Sequence, residues 1–578
     1  MSRCRFGLPG RRVLVAPLVV LVLLGGWLAF RGMQVRSGLL EARAGLIAAA
    51  GGLSGADVGS LAQVQRDASQ EVQRARSAVD DPVWRAAALV PVAGRSFAVA
   101  RETTLVASQL VDEVLPPLVR GGVELQEGAL LRGGAVNLGL LDALLARVGE
   151  AETALVPAKA RTAATSMSFL PPQVARAHGD LEAAVGRLSR GLASGRDGLE
   201  LVPGLLGADG PRRYFMAVMN NAEVRGPGGL VGAYAVLRAD RGRLELEKVG
   251  TNQDFRTADA PVVDLGPEFA ARYDQEFARS FWSAAVLTPH WPSASRIMAG
   301  LWQEQGGGVV DGVLGVDPLA MAGILAVTGP AQVSGRTIGA ANVADFVMRD
   351  EYAVFAEDSE RKEVLSDLAA GLYAKVASGG YSAPAMLAAL GRAAGTGHLQ
   401  VWAAREAEQA ALERTRAAGD LPGRPGAYLQ VVSNNAAGNK ADYYVRRRVG
   451  YERTAPGQAL VTVQLRNTVV AAAVPPVVIG RLDEPAYAVE PGQTRQLLSI
   501  YVGIGEVVRR VLVDGVEVAA DLGTEQGHGV ATLLVEVRPS RATLVTAEVT
   551  DPGGELLYRQ QPLVVDDELD LDVSYEVG

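Results

Sequence analysis

Cysteine is almost missing from this chain: Cys4 is the only one in 578 residues. An intramolecular disulfide, a cysteine zinc cluster and a thiol nucleophile in the body are therefore excluded. Histidine is nearly as scarce. His178, His290, His398 and His528 stand singly, so no H-E-x-x-H motif or histidine cluster exists for a metalloenzyme. The chain also lacks a Walker A loop, a G-x-G-x-x-G opening a helix and a G-x-S-x-G elbow. The common NTPase, dinucleotide and serine-hydrolase chemistries lose their support. Positive charge is not in excess either. A net charge of -8 argues against a nucleic acid as a general partner.

What is present is an ordinary globular balance, 48% hydrophobic and 21% charged, which sets aside a disordered or multi-span chain. Single cores stop growing near ~250–300 residues, so about three units are expected. One long uncharged run stands out, Val13 to Phe30. As a helix it spans about 27 Å, close to the thickness of a bilayer's hydrocarbon. Arg3, Arg5, Arg11 and Arg12 precede it without an acid, which places the N-terminus in the cytoplasm and exports the rest. The run ends Leu28-Ala29-Phe30-Arg31 without an A-x-A-like site. A retained signal anchor is thus expected rather than a cleaved signal peptide. Cys4, beside the run, is either acylated or inert.

From residue 34 to 203 the pattern is helical. Leu61, Val64, Ala68, Val72, Ala75 and Val79 recur at three- and four-residue steps. Asp81-Pro82, Pro116-Pro117 and Pro171-Pro172 divide the pattern, and a stalk or bundle is expected. The texture changes at Arg212. Strands are predicted over 213–219, 230–237, 244–249 and 309–316, with helices over 292–305 and after Asp317-Pro318, a cap-then-proline pair. Residues 205–450, including a strand at 428–432, read as an α/β or α+β domain. Residues 455–565 are strand-rich, carry an Asp514-Gly515 hairpin signal and read as a small β-sandwich. Residues 566–578 hold Asp566, Asp567, Glu568, Asp570, Asp572 and Glu576 without a base, and read as a solvated acidic tail.

Two loops carry most of the chemical interest. In Asn220 to Gly229, Gly226, Gly228 and Gly229 would let a backbone approach a ligand, and Arg225 offers a planar fork for phosphate or carboxylate. The competing reading is a turn in which Arg225 pairs with Glu223. Asn434 to Lys440 has the same character, with Asn435 and Lys440 as possible anion contacts or as parts of a connector. Arg361-Lys362 sits near a helix start, where the dipole prefers acids; a phosphate partner or the acids Asp358 and Glu360 would account for it. Asp254 and Arg256 follow a strand, Asp254 as a metal or base position and Arg256 as an anion contact.

Several segments together resemble a bacterial family known as domain of unknown function 4012. They are Met219-Asn-Asn-Ala-Glu-Val-Arg-Gly-Pro-Gly-Gly229, Thr288-Pro-His-Trp-Pro292, Val310-Asp-Gly-Val-Leu-Gly-Val-Asp-Pro318, Thr328-Gly-Pro330, Arg361-Lys362 and Ser433-Asn-Asn-Ala-Ala-Gly-Asn-Lys440. Leu89-Val-Pro-Val-Ala-Gly-Arg95 has the family's look as well. In Gly226 the chain departs from the proline that often follows the arginine. A second likeness, in order and outline, is to the LytR-CpsA-Psr phosphotransferases of the envelope. That resemblance implies a divalent metal such as magnesium and transfer of a polyprenyl pyrophosphate-linked glycan to the wall. Here Pro330 and Lys362 stand where those enzymes carry glycine and glutamine.

Two functional classes stay open. In one, Arg225, Arg256, Arg361 and Lys440 neutralise a pyrophosphate and Asp254 helps place the metal. In the other, the protein is a non-catalytic scaffold whose partners are envelope proteins. Both take the lipid bilayer as a partner through residues 13–30, and neither takes nucleic acid. Convergence of the basic side chains on one cleft separates them.

Overall fold

The computed structural model describes residues 15–54, 61–91, 94–127, 130–132, 134–165, 170–573 and 575–577. Cys4, the four leading arginines and the first two residues of the expected anchor lie outside them. The first helix, Val15–Ser54, runs on well past Phe30. Among the described residues no helix is long and apolar enough to cross a membrane. The expected span is therefore not supported here, and its far end is engaged with other helices. Arg31 lies over the Trp27 ring at 4.6 Å and pairs with Asp81 at 3.1 Å. Leu28 packs on a buried cluster of Val35, Ala78, Val79 and Trp84.

Two compact units divide the chain. The helical unit comprises 1–129, 139–200 and 382–385. Its helix Leu61–Val79 buries Ala68, Val72, Ala75 and Val79, four of the six residues in the helical period. It lies close to the first helix, because a Cβ on Gly38 would sit 2.6 Å from the Glu71 carbonyl oxygen. Asp81 caps helix Pro82–Ala88 by accepting from the Val83 N–H. Pro116-Pro117 does not break its helix. The π-helical turn Leu110–Val114 precedes the prolines, with Leu115 N–H bonded to Leu110 O, and widens the spiral where two donors are missing.

The second unit comprises 130–138, 201–381 and 386–578. Its first strands are β1 (Leu131–Arg132), β2 (Ala135–Val136), β3 (Arg212–Asn220), β4 (Leu230–Asp240), β5 (Arg243–Thr251), β6 (Gly312–Val316), β7 (Ala331–Val333), β8 (Arg336–Ile338) and β9 (Leu399–Ala403). Seven of them form one sheet in the order β1-β2-β5-β4-β3-β6-β9, parallel only between β3 and β6. Helix Trp291–Glu304 covers one face over an aromatic core, in which Phe255 stacks on Trp282 at 3.8 Å. Helices Pro318–Thr328 and Asp358–Ser378 cover the other. Asp317 caps the first of these with two bonds of 3.0 Å. The result is a mixed α/β layer with helices on both faces.

The remaining strands are β10 (Tyr428–Asn435), β11 (Val445–Ala455), β12 (Gln458–Asn467), β13 (Thr494–Ile504), β14 (Val508–Val513), β15 (Val516–Glu517), β16 (Asp521–Glu525), β17 (His528–Val537), β18 (Ala542–Thr550), β19 (Leu556–Arg559), β20 (Glu568–Leu571) and β21 (Tyr575–Val577). They pack as two sheets, β16-β17-β13-β10-β19-β21 and β15-β14-β18-β12-β11-β20, around one core of Val, Leu and Ile. Asp514 and Gly515, at φ 49° and 81°, turn β14 into β15 as the Asp-Gly signal predicts. Strand β10 belongs to these sheets, between β13 and β19, and not to the α/β layer.

The acidic tail is not a free solvated end. Strand β20 pairs in parallel with β11, and β21 with β19. Arg447 grips Asp567 through Nε at 2.5 Å and Nη2 at 2.8 Å, both side chains being buried. An acid-rich stretch can enter a sheet when its inward carboxylate meets a buried guanidinium. Arg447→Met leaves the buried Asp567 carboxylate without its cation, with the Tyr558 hydroxyl as its remaining side-chain donor, and is expected to cost ~3–5 kcal/mol in urea unfolding. Arg448→Met, whose partner Glu568 is exposed, is expected to cost under ~1 kcal/mol.

Candidate functional site

The hairpin from β3 to β4 turns through Asn220 to Gly229, and residues 221–229 are all buried. Glycine is required by close backbone crossings. A Cβ on Gly229 would stand 2.3 Å from the Asn220 carbonyl carbon, and one on Gly226 would stand 2.4 Å from the Thr288 carbonyl. Several of the loop's N–H groups are spent within the protein. Gly226 donates to Val286 O at 3.0 Å and Asn434 Oδ1 at 2.9 Å, and Gly228 donates to Arg225 O at 2.9 Å. Val224 N–H reaches Asp442 Oδ2 at 2.9 Å, and Asn435 N–H reaches Val224 O at 2.8 Å. The second loop thus closes over the first.

Charge is arranged the same way. Glu223 is buried and pairs with Arg225 Nη2 at 2.9 Å and with Lys440 Nζ. Burial pushes its pKa up, but Lys440 and then Arg225 outweigh burial and hold it below the ordinary carboxylate value. Arg225 Nη1 donates to Asn435 O at 2.6 Å. The Asn435 side chain accepts from the Ala437 and Gly438 N–H groups and donates to Asp442, which fixes the turn. Arg225, Asn435 and Lys440 therefore come together, but as an interior junction around Glu223. Gly228 and Gly229 shape the loop and line no cradle. The cavities touching it, one at Val224 and one at Gly226-Pro227, measure about 20 and 30 Å³, room for roughly one water each.

The other candidates separate. Arg361 is buried, donates to Phe355 O at 2.7 Å and Ala356 O at 2.9 Å, and lies 5.5 Å over the Tyr352 ring. Lys362 pairs with Asp358 at 2.7 Å, one of the two acids anticipated as offsetting the basic pair. Arg256 exposes its side chain, and its backbone clasps the Gln305 amide. Asp254 accepts the Tyr234 hydroxyl at 2.7 Å. Among the described residues no group of three or more His, Cys, Asp or Glu could hold a metal ion. Magnesium at Asp254 would therefore take its remaining ligands from water and from the phosphates of a substrate.

Two features escaped the sequence. Glu351 is buried beside Tyr352 and Arg361, one of its oxygens unbonded. Burial lifts its pKa to about 8, with Tyr352, Arg361 and Lys440 pulling the other way. Asp317, expected only as a cap, also accepts from Asn221 Nδ2 at 2.9 Å and pairs with buried His398 at 2.5 Å. Burial lowers the His398 pKa, but Asp317 raises it above the ordinary value. The sole signal for either was position: Asp317 ends a strand, and Glu351 sits in an otherwise charged run.

A cleft of about 860 Å³ lies elsewhere, between Arg272-Tyr273 and the outer face of β13 and β17. Asn434, at the start of the second candidate loop, is among its lining residues.

Glu223→Gln leaves buried Arg225 and half-buried Lys440 short of charge, and urea unfolding is expected to show a loss of ~3–5 kcal/mol. Arg256→Ala, at an exposed side chain, is expected to change stability by no more than ~0.5 kcal/mol. Glu351 gives a pH signature. The unfolded carboxyl titrates near 4.5 and the folded one near 8. Within that window the folded chain keeps a proton that the unfolded chain releases, so stability falls as pH rises, by on the order of 5 kcal/mol in all. Glu351→Gln is expected to flatten that slope between about pH 4.5 and 8 in urea midpoints.

No curated protein and no solved structure matches the chain. Residues 209–352, from just before β3 to Tyr352 beside Glu351, match the family described as Protein of unknown function (DUF4012), a span that holds the motifs quoted between Met219 and Pro330.

Proposed function

We propose that the chain is a membrane-anchored, extracytoplasmic protein of the bacterial cell envelope that acts as a non-catalytic scaffold for other envelope proteins. The placement is supported by sequence: an uncharged run over 13–30 behind four arginines. The scaffold reading is carried by one observation. Arg225 and Lys440 are both spent on the buried Glu223.

Phosphotransfer requires unspent positive charge where the transferred group gathers negative charge, held in a space the substrate can enter. Here Arg361 is committed to two carbonyls, and the cavities at the glycine loop hold about one water each. LytR-CpsA-Psr-like transfer of a polyprenyl pyrophosphate-linked or wall glycan is the finer alternative, and these pairings speak against it.

Protease added to intact spheroplasts is expected to digest the body and spare the first few residues; a body protected until lysis overturns the extracytoplasmic placement. Detergent-purified protein given a synthetic polyprenyl pyrophosphate glycan and magnesium is expected to transfer nothing. Turnover that disappears in Arg225→Ala would overturn the scaffold reading.

A further inference from the structure

The stretch Leu89-Val90-Pro91 and its surroundings find no use in the reading above. Leu89 is 85% exposed and Val90 is 50% exposed, at the end of helix Pro82–Ala88. Beside them lies a cleft of about 820 Å³, lined by Arg85, Arg95, Arg101, Glu102 and Arg161 among others. Asp80 pairs with Arg101 at 3.1 Å, and Glu102 pairs with Arg161 at 3.0 Å. Asp80 and Glu102 are thus matched by Arg101 and Arg161, and Arg85 adds positive charge to the patch.

The helical topology says where this patch lies. Helix Leu61–Val79 runs back along the first helix, since Gly38 meets Glu71 and Ala75 while Val35 meets Ala78 and Val79. Asp81 accordingly reaches Arg31. Trp84 then packs edge-on against Phe97 at 4.9 Å, in the cluster that holds Leu28. Residues 80–91 and 94–97 therefore stand at the end of the helical unit where the first helix carries Leu28 and Arg31. Leu23, Trp27, Phe30 and Met33 on that helix are themselves exposed. Apolar side chains exposed on two neighbouring elements, rimmed by arginines, have the composition of a surface that meets a bilayer at headgroup depth.

We propose that this end of the helical unit docks on an anionic lipid surface, with Leu89 and Val90 set among the headgroups and the arginine-lined cleft taking lipid phosphates. The assignment rests on the anchor reading above. Continuity with the first helix favours a bilayer over a protein partner, and the positive cleft favours anionic lipid, each basic residue near such a surface being worth ~1 kcal/mol, about fivefold in binding.

The test uses the full chain in lipid nanodiscs, in a Cys4→Ser background, with a bimane fluorophore at Leu89→Cys, Leu24→Cys or Ser540→Cys and a headgroup spin-labelled lipid as quencher. In discs containing phosphatidylglycerol, Leu89→Cys and Leu24→Cys are expected to be quenched and Ser540→Cys is not. Adding Arg85→Ala is expected to lower the docked-to-undocked ratio at Leu89→Cys roughly fivefold. Quenching of Leu24→Cys without Leu89→Cys overturns the docking and leaves the anchor standing. Failure of both overturns the anchor and the docking with it. Equal quenching of Leu89→Cys in pure phosphatidylcholine overturns the part given to the arginines and anionic lipid.

Discussion

The second unit depends on a buried carboxylate shared by two cations. Glu223 belongs to the hairpin loop of the α/β sheet, as does Arg225, whereas Lys440 comes from the loop that leaves β10 of the sandwich. One acid therefore binds two different folds. Its charge is tolerated inside because both of its oxygens meet a cation, and removing Glu223 leaves both cations uncompensated, whereas removing either cation leaves one oxygen of the carboxylate without its ion pair. The hydrogen bonds around it follow from this constraint. Once the loops are held face to face, Gly226, Val224 and Asn435 have no water to meet and must satisfy one another.

The same logic recurs along the contact between the sheet and the sandwich. Gln561, from the chain's last segment, donates to Arg225 O at 3.0 Å and to Ser433 O at 2.8 Å. Glu525 of β16 accepts the hydroxyls of Thr288, Tyr273 and Tyr501. Two of those hydroxyls come from the α/β side and one from the sandwich. An interface made of buried polar groups in register resists sliding, because a small displacement unpairs several of them at once. The α/β layer and the sandwich therefore belong to one unit rather than to two beads on a linker.

How much of this was legible depended on range. Local signals carried through: the period that buries Val72 and Val79, the Asp317-Pro318 cap, and the Asp514-Gly515 turn. Each is decided within a few residues by backbone sterics or by a single side-chain bond. Signals requiring a distant partner did not. Strand β10 reads equally well as the last strand of one domain or as an inner strand of the next, since a buried strand carries the same apolar pattern in both. The tail looked solvated because six acids were visible, whereas the Arg447 that takes Asp567 lies 120 residues upstream. Pro116-Pro117 looked like a break because proline costs a hydrogen bond, and a π-turn supplied a geometry in which that loss is absorbed.

The candidate loop teaches the sharpest distinction. Glycine, asparagine and arginine at the end of a strand are what a phosphate cradle needs, and they are equally what two interlocked loops need. In both cases backbones must approach closely and exposed donors must be met. Residue type alone cannot tell the two apart; the origin of the counter-charge can. A cradle leaves its arginine's partner to the ligand, whereas Asn-Asn-Ala-Glu-Val-Arg carries its own acid two residues before the arginine. With Glu223 inside the motif, Arg225 is neutralised as the hairpin closes, and Lys440 arrives from the sandwich to complete the balance. A foreign anion would have to displace a carboxylate that is covalently attached and already desolvated, and it would pay its own desolvation to do so.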